Sequence, residues 1–403
     1  MKNEFGFTVA TRLPGSLART GTIRTPHGTI QTPAFIVVGT KATVKAMTPD
    51  QVKATRAQAV LANAYHLYLQ PGHELIAAAG GLGKFMNWDG PTFTDSGGFQ
   101  VLSLGSGYKK TLSMAVEGVS PDDVIAPTKA RQAFIDDDGV NFVSYRDGSQ
   151  HRFTPEHSMQ VQHGLGADIT FAFDELTSLL DDYDYQVASL TRRTEPWAER
   201  SLAEVKRLRR AHPDQPYQAL YGVVQGAQHQ DLRERCASFL AARDFDGFGI
   251  GGAIEKTKIG DIIRWCNSIL PEHKPRHMLG ISEPDDIFAA IEQGIDTFDC
   301  VSPTRVARNG AFYTYHGRKN IRAQRYQKDF TPLLEGCACD TCQHFTKAYI
   351  QHLSRSHELL FNTLMSVHNE FFIIKLVDDI RQSIEDGTFY TLRDAWLANY
   401  YQT

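Results

Sequence analysis

The sequence predicts an α/β protein built on an eight-stranded (β/α)8 barrel. Eight short, nearly continuous apolar runs recur along the chain, and helical patterns lie between most of them. Such runs are typical of strands buried on both faces of a parallel sheet. Eight of them alternating with helices favour a closed barrel. A doubly wound open sheet is the alternative, but no G-x-G-x-x-G motif follows the first run to support it.

The eight predicted strands are short, and each run closes on glycine or on polar residues. In chain order they are residues 32–40, 59–67, 92–99, 167–175, 219–226, 247–252, 277–282 and 297–303.

The predicted helices have recognisable starts or amphipathic patterns. Two helices should start at Thr48-Pro49 and Thr154-Pro155, where a capping hydroxyl precedes a proline suited to the first turn. Amphipathic patterns predict the others at residues 185–211, 228–242, 257–268, 283–293, 345–361, 368–385 and 392–401.

Composition restricts the class of protein. The chain has 403 residues, of which 42% are hydrophobic and 22% charged, so disorder, collagen and coiled coil are excluded as its main character. The net charge of −4 gives no overall attraction to nucleic acid, so a polyanion site requires a local basic patch. No apolar run suits a membrane helix or a signal peptide, and there are only six cysteines. We therefore expect a cytoplasmic protein that makes no membrane contact.

Half of the cysteines form one tight cluster. Cys337, Cys339 and Cys342 fall within six residues, a spacing that suits tetrahedral zinc. A histidine as fourth ligand would fill every position and make the site structural. Three unrelated buried cysteines or a redox pair are the alternatives. The candidate fourth ligands are His344, His352, His357 and His368.

One long segment fits neither strands nor regular helices. Residues 105–138 carry SMAVEGVSPDDVIAPTKARQ, which matches no strand, and we predict a long loop, with room for one helix, at the C-terminal mouth of the barrel. The domain prediction follows: residues 1–315 form the catalytic barrel, with an insertion within 105–138. Residues 316–403 form a zinc-binding subdomain and C-terminal helices, including the helix that closes the barrel.

Three carboxylates are predicted at strand ends, where (β/α)8 barrels place their chemistry. Asp95, Asp174 and Asp299 would then face one mouth. Two carboxylates that flank a sugar carbon are the usual equipment for breaking a glycosidic bond, one as nucleophile and the other as proton carrier. Glycine pairs at the strand ends would let a flat ligand approach the backbone, and Phe99 could stack on it. The alternative for any single aspartate is a capping residue, or a buried carboxylate whose hydrogen bonds are all made within the protein.

The segment after the eighth strand supplies the local basic patch. Its arginines and tyrosines together suit phosphates and unstacked bases. A solvated basic face is the alternative. The patch begins with Thr304, Arg305, Val306, Ala307 and Arg308 and continues through Arg318, Lys319, Arg322, Arg325 and Lys328.

Several stretches resemble one known family, the tRNA-guanine transglycosylases (queuine tRNA-ribosyltransferases), and in particular their bacterial members. The resemblance covers essentially the whole chain. The stretches that carry it are TPAFIVVGT, NAYHLYLQPG, FTDSGGFQVLSL, FTPEHSMQVQHGLGADITFAFDE, YGVVQG, GIGG, GIDTFDCVSPTRVARNG, the C-x-C-x-x-C cluster and VHN.

This resemblance implies a TIM barrel with a zinc subdomain inserted near its C-terminal end. It implies exchange of the wobble guanine in tRNAs with a GUN anticodon for a 7-deazaguanine, either preQ1 or queuine, by a homodimer. Asp299 would be the nucleophile that attacks the ribose, and Asp95 the proton acceptor.

The resemblance also assigns the remaining candidate residues. Base binding is expected from Asp95, Ser96, Gly97, Gly98, Phe99, Asp174, Gln225 and Gly252. RNA binding is expected from Gly280, Ile281, Ser282, Glu283, Pro284, Asp285 and Asp286, together with Thr304, Arg305, Val306, Ala307 and Arg308. One structural Zn²⁺ per subunit is expected on Cys337, Cys339, Cys342 and His368.

Three departures from the family pattern leave the incoming base open. Residues Ala253-Ile254-Glu255-Lys256 replace the usual sequence after Gly251-Gly252, Leu176 stands where cysteine is common, and the segment within 105–138 is longer than usual. Two other functions are alternatives: a barrel N-glycoside hydrolase, and a non-catalytic RNA-binding partner subunit. The intact Asp95 and Asp299 argue against the second.

Overall fold

The computed structural model describes residues 5–100, 115–116 and 133–401. Its strands are β1 (Gly6–Arg12), β2 (Arg19–Thr25), β3 (Gly28–Thr32), β4 (Ala34–Val38), β5 (Val60–Ala62), β6 (Thr92–Thr94), β7 (Ala115–Val116), β8 (Ala133–Ile135), β9 (Val140–Val143), β10 (Gln150–Phe153), β11 (Ile169–Phe171), β12 (Ala219–Val224), β13 (Gly247–Ile250), β14 (Ile254–Glu255), β15 (Arg276–Met278), β16 (Thr297–Cys300), β17 (Ala311–Thr314) and β18 (Gly317–Asn320).

The helices lie between and after the strands. They are α1 (Pro49–Ala54), α2 (Ala64–Leu69), α3 (His73–Ala78), α4 (Leu82–Met86), α5 (Pro155–Leu165), α6 (Tyr183–Ser189), α7 (Glu195–Ala211), α8 (Gln230–Ala241), α9 (Ile259–Asn267), α10 (Pro284–Glu292), α11 (Ser302–Arg308), α12 (Asp340–His344), α13 (Lys347–Arg355), α14 (Leu359–Glu385) and α15 (Phe389–Tyr400). Among the described residues, none of these helices could span a membrane.

The predicted barrel is confirmed, strand by strand. Strands β4, β5, β6, β11, β12, β13, β15 and β16 form one closed parallel barrel, and β16 returns to pair with β4. Each strand falls within its predicted run except β15, which begins one residue earlier. The strands are shorter than the runs because the chain turns into the mouth of the barrel immediately after them.

The N-terminal antiparallel sheet β1–β2–β3 was not predicted. The residues of β1 alternate between half-buried and exposed, so the strand has no continuous apolar run. The sheet is tied to the amino-terminal end of the barrel by an ion pair between Arg19 and Asp296, with 2.7 Å between Nη2 and Oδ2 and both side chains buried.

The expectation that the segment 105–138 contains no strand is wrong in two places. Strand β7 pairs in parallel with β14, directly after Gly251-Gly252. Strand β8 begins an antiparallel sheet with β9 and β10. Strands of only two or three residues form because a neighbouring strand pairs with them. When that neighbour is distant in sequence, the local sequence contains no pattern that predicts the strand. The predicted loop and its helix otherwise fall largely on residues 105–114 and 117–132, outside the described residues.

The C-terminal helices differ from the prediction. The predicted helix 345–361 ends at Arg355, and a turn at His357, whose φ is 56°, separates it from α14. Helix α14 then runs unbroken through residue 368, where a new helix was expected to start. It packs against α11 and against strand β4, so it closes one side of the barrel.

Candidate active site

The three carboxylates predicted at strand ends line one cavity of about 570 Å³ at the C-terminal mouth. Asp95 follows β6 directly, Asp174 lies just beyond β11, and Asp299 lies within β16. A larger cavity of about 880 Å³ lies at the opposite end of the barrel, but none of the predicted site residues lines it. The chemistry therefore belongs to the smaller cavity.

Asp95 is held on both carboxylate oxygens. Its Oδ2 accepts hydrogen bonds from Asn63 Nδ2 at 2.5 Å and from Gln100 Nε2 at 2.9 Å, and its Oδ1 accepts one from the backbone N–H of Ala64 at 2.8 Å. Burial raises the pKa of Asp95 to about 6, and the hydrogen bonds oppose that rise. A carboxyl group with a pKa in this range can both accept and return a proton near neutral pH.

Asp174 is also bonded on both oxygens, in this case by neighbouring side chains of the mouth. Ser96 Oγ donates to its Oδ1 at 3.2 Å, and Gln225 Nε2 donates to its Oδ2 at 2.6 Å. Burial raises the pKa of Asp174 to about 6. A fixed carboxylate beside an amide forms a planar row of acceptors and donors, which suits the edge of a purine-like base.

Asp299 differs because only one of its oxygens is held. Its Oδ1 lies 3.1 Å from His277 Nε2 and 3.4 Å from the backbone N–H of Gly280. No hydrogen bond reaches its Oδ2 from the residues that the structure describes. The side chain is 15% exposed and faces the cavity. A carboxylate with one free oxygen at a cavity wall is placed to attack an electrophilic carbon.

Glycine is required at position 252. Its φ is +105°, and a Cβ there would lie 2.8 Å from Arg233 Nη2 and 2.9 Å from Gln225 Oε1. Any other residue at this position would therefore have a strained backbone, and its side chain would clash with these two atoms. Gly98 is similarly close to its neighbour, since its Cβ would lie 2.7 Å from the carbonyl oxygen of Asp174. The absence of a side chain at both positions lets the backbone pack closely against these neighbours.

All the remaining base-binding candidates except Gly98 line the cavity. Ser96, Gly97, Phe99, Gln225 and Gly252 line the cavity with the carboxylates, and Phe99 is half-buried.

The RNA-binding candidates divide into two groups. Gly280, Ile281, Ser282, Glu283, Asp286 and Arg305 line the cavity, whereas Pro284, Asp285, Thr304, Val306, Ala307 and Arg308 do not. Thr304 and Ala307 are buried in the protein. Arg308 Nη1 donates to the carbonyl oxygen of Thr304 at 2.9 Å, which leaves Arg305 as the exposed arginine of α11.

Two buried side chains of the site were missed by the sequence reasoning. His277 contacts Asp299 as described above, and Arg233 donates to the carbonyl oxygens of Val224, Ala227 and Gly251. The contacts of His277 with Asp299 and of Arg233 with Gly251 join neighbouring strand units of the barrel, whereas Val224 and Ala227 are close to Arg233 in sequence. A single histidine in an apolar run or a single arginine in a helix gives no pattern that predicts such contacts.

The cysteine cluster and one histidine converge in the C-terminal subdomain. The ligand atoms of Cys337, Cys339, Cys342 and His368 all lie within 4.8 Å of one another, and all four residues are buried. His368 Nδ1 lies 3.9, 3.5 and 3.3 Å from the three Sγ atoms in that order. Tetrahedral zinc separates nitrogen and sulfur ligands by about 3.6 Å, so these atoms fit a metal ion. His368 Nε2 is bonded to the carbonyl oxygen of Tyr313 at 2.9 Å, which fixes the ring.

Comparison with known proteins gives one consistent result. A family described as queuine tRNA-ribosyltransferase matches residues 15–402. A protein of that name from Roseiflexus sp. (strain RS-1) is 44% identical over 401 residues, covering 97% of this chain and 98% of its own length. One from Pelotomaculum thermopropionicum is 43% identical over 397 residues, covering 98% of both chains. One from Staphylococcus epidermidis is 42% identical over 386 residues, covering 95% of this chain and 93% of its own.

Proposed function

Because the chain belongs to the queuine tRNA-ribosyltransferase family, we propose that it is a tRNA-guanine transglycosylase that works through a covalent Asp299–ribose intermediate. It exchanges the wobble guanine of tRNAs with a GUN anticodon for a 7-deazaguanine, either preQ1 or queuine. The observation that carries the mechanism is that Oδ2 of Asp299 accepts no hydrogen bond from the described part of the chain, whereas both oxygens of Asp95 and of Asp174 do.

The reaction is a double displacement at the ribose C1′. Asp299 Oδ2 forms a bond to C1′ as the C1′–N9 bond of guanine breaks, and the bond electrons leave with the base. The incoming base then attacks C1′ through its own N9 and releases the carboxylate. The bond energy is kept in the intermediate, so the exchange needs no external energy source. The wobble base is unpaired in free tRNA, so extruding it requires only a few kcal/mol.

Asp95 handles the proton of the exchanging bases. Its raised pKa of about 6 suits it to protonate departing guanine and to accept the N9 proton of the base that enters. The fixed amides of Asn63 and Gln100 keep its carboxylate in one orientation through both steps.

The base is recognised through hydrogen bonds with polar groups held in place at the mouth of the cavity. Asp174 and Gln225 hydrogen-bond its edge, with the backbone of Gly252 beside them and the loop of Ser96, Gly97, Gly98 and Phe99 around it. The Phe99 ring supplies a stacking surface for the planar base. The tight packing of Gly252 against Gln225 and Arg233 supports this role, because it places the Gly252 backbone beside Gln225 in the cavity lining.

The RNA strand passes over the rim of the cavity. The segments 280–286 and 304–308 make these contacts, with Arg305 as the cation most available to a phosphate. Thr304 and Ala307 act as buried supports of α11 and do not touch the RNA. Two carboxylates of this rim form ion pairs with cations of the protein. Glu283 Oε1 lies 3.3 Å from Arg318 Nη1, and Asp285 Oδ2 lies 3.0 Å from Lys256 Nζ.

The Cys337, Cys339, Cys342 and His368 cluster holds one structural Zn²⁺ per subunit. All four positions would be filled by protein ligands, so the ion cross-links the subdomain and takes no part in the chemistry. The enzyme works as a homodimer. Large apolar side chains exposed on the C-terminal subdomain support this assembly, notably Phe330 at 76% and Leu359 at 80% exposure.

Base exchange on preloaded tRNA tests the function. Unmodified tRNA with a GUN anticodon is first labelled with guanine at the wobble position and then chased separately with preQ1, queuine or buffer. Release driven by an added base is expected, and the faster base identifies the substrate. Release in buffer alone would identify a hydrolase. Bound tRNA without any release would identify a partner subunit.

A further inference from the structure

We propose that His277 is a positioning residue for the nucleophile Asp299, and that Thr297 fixes the imidazole tautomer that makes this contact. The inference rests on the function proposed above. It concerns which of the two carboxylate oxygens of Asp299 attacks the ribose.

His277 lies between two side chains of the adjacent strand. It is wholly buried on β15, with Nε2 3.1 Å from Asp299 Oδ1 and Nδ1 2.9 Å from Thr297 Oγ1. Thr297 and Asp299 are two residues apart on β16, so their side chains leave the same face of the strand. The imidazole therefore bridges them across the barrel interior, with one ring nitrogen for each.

The ring has little freedom to turn. The rings of Phe93 and Phe171 pack against it at a tilt of 34° and 56°, with centroid separations of 5.7 and 5.2 Å. These two residues belong to β6 and β11, the strands that lead to Asp95 and Asp174. The packing that positions the other two carboxylates therefore also fixes the plane of His277.

The two partners determine where the imidazole proton lies. An ionised carboxylate can only accept, whereas a threonine hydroxyl can donate. A neutral imidazole satisfies both partners when Nδ1 accepts from Thr297 and Nε2–H donates to Asp299 Oδ1. Oδ1 then has two donors, His277 and the backbone N–H of Gly280, while Oδ2 has none from the described residues.

This asymmetry gives the two oxygens different roles. Oδ2 forms the bond to C1′ as guanine departs with the electrons of the C1′–N9 bond, and Oδ1 becomes the carbonyl oxygen of the resulting ester. When the incoming base attacks C1′, the electron pair returns to the carboxylate, whose charge His277 then stabilises. A hydrogen bond to a charged acceptor is stronger than one to a neutral acceptor, so this contact favours departure of the carboxylate in the second half-reaction. In the first half-reaction it acts by orienting Oδ2 toward C1′.

The test compares four variants with the wild type. His277→Phe keeps the ring volume but removes both hydrogen bonds, whereas His277→Gln can return a donor to the position of Nε2. Thr297→Val removes only the hydroxyl group that selects the tautomer of His277. The double variant His277→Phe/Thr297→Val tests whether Thr297 acts through His277. His163→Phe is the matched control, because it also removes one imidazole hydrogen bond, to Gln218, but at the other end of the barrel. Each variant is assayed for the single-turnover rate of covalent tRNA adduct formation, for the KM of the incoming base and for its melting temperature.

We expect His277→Phe to slow adduct formation by about 10- to 100-fold, because the carboxylate of Asp299 would no longer be held with Oδ2 directed at C1′. The KM of the incoming base should stay unchanged, since His277 does not contact the base. His277→Gln should recover most of the rate, Thr297→Val should lose less than His277→Phe, and the double variant should be no slower than His277→Phe alone.

Three results would overturn the inference. They are a normal adduct rate in His277→Phe, equal losses in His277→Gln and His277→Phe at similar melting temperatures, or additive losses in the double variant. If His277→Phe does not fold, His277→Gln and Thr297→Val carry the test: a Thr297→Val rate equal to that of wild type would overturn the role of Thr297. Absence of any adduct in the wild type would instead refute the proposed function itself.

Discussion

Arg233 donates a 2.8 Å hydrogen bond from Nη1 to the carbonyl oxygen of Gly251, although it is wholly buried and no carboxylate pairs with it among the described residues. The same guanidinium holds the carbonyl oxygens of Val224 and Ala227. It thus connects the carboxyl ends of β12 and β13, which carry Gln225 and Gly252. Burial lowers the pKa of Arg233, and three carbonyl acceptors compensate the buried cation.

Replacing Arg233 by lysine should weaken base binding and stability together. A lysine cannot reach three carbonyl groups in a planar fork, so at least one buried acceptor would be left without a donor. We expect the free energy of unfolding to fall by about 2–3 kcal/mol and the KM of the incoming base to rise. Denaturant unfolding and base-exchange kinetics measure both. Arg264→Lys on the exposed face of α9 is the control and should change neither; a normal KM in Arg233→Lys would contradict this role.

Replacing Asp299 by alanine should abolish the covalent adduct. Both oxygens of Asp95 and of Asp174 accept hydrogen bonds from described residues, so neither carboxylate is placed to take over the attack. The variant should still bind tRNA, because the cationic rim is unchanged. Denaturing gels of labelled tRNA detect the adduct, and Asp95→Asn serves as a comparison with an intact nucleophile. An adduct that survives in Asp299→Ala would disprove the assignment.

Activity should fall as the pH is lowered through about 6. Burial raises the pKa of Asp95 and of Asp174 to about 6, so their carboxylate forms predominate above this pH and are lost below it. The entering base must give its N9 proton to a carboxylate, so its incorporation needs the form present at higher pH. The profile of kcat/KM for the incoming base should show this acidic limb, with an apparent pKa that belongs to the coupled group. A flat profile from pH 5 to 8 would contradict the role of Asp95.

Removing one cysteine of the cluster should release the metal and destabilise the C-terminal subdomain. We expect wild-type protein to hold one zinc per chain and Cys339→Ser to hold much less, with a lower melting temperature. Cys266→Ala is the matched control, because Cys266 is a buried cysteine outside the cluster. Elemental analysis and thermal unfolding measure both effects. Full zinc content with unchanged melting in Cys339→Ser would argue against the site.

Replacing Arg305 by alanine should weaken tRNA binding without affecting the free base. Loss of one phosphate contact reduces the dependence of log K on log salt by about 1. Binding of an anticodon stem-loop across a salt series gives this slope. Arg12→Ala, at an exposed ion pair with Glu272, is the control and should leave the slope unchanged. Equal salt-dependence slopes for wild type and Arg305→Ala would show that Arg305 does not contact the RNA.

The sequence predicts the barrel well because its strands are buried on both faces. Runs such as AFIVV at β4 have a local signature that does not depend on the partner strand. Strand β1 has one exposed face and many polar residues, and β7 has only two residues, so their identity depends on the strands beside them. The turn at His357 was missed because its backbone conformation leaves no distinct residue pattern.

The site was predictable where the fold class, the cysteine spacing or the resemblance pointed to particular residues, and not elsewhere. Asp95, Asp174 and Asp299 lie at strand ends, and in a (β/α)8 barrel this position alone indicates a functional role. His277 contacts Asp299 on the adjacent strand, and Arg233 contacts Gly251 in the next strand unit, so both contacts form only when neighbouring strands pair. Their roles depend on three-dimensional packing, and neither residue stands out by spacing or composition.

The pairing of β4 with β16 has a consequence during synthesis. Ala34 pairs with Thr297, so one edge of the first barrel strand has no partner until most of the chain has left the ribosome. At 5–20 residues per second this interval is roughly 15–50 s. During that time the β4 edge, with its AFIVV sequence, is open to pairing with other nascent chains. Asp299, which we propose as the nucleophile, lies on β16, the strand that closes this edge. The strand pairing that ends the exposure of β4 therefore also places Asp299 in the barrel.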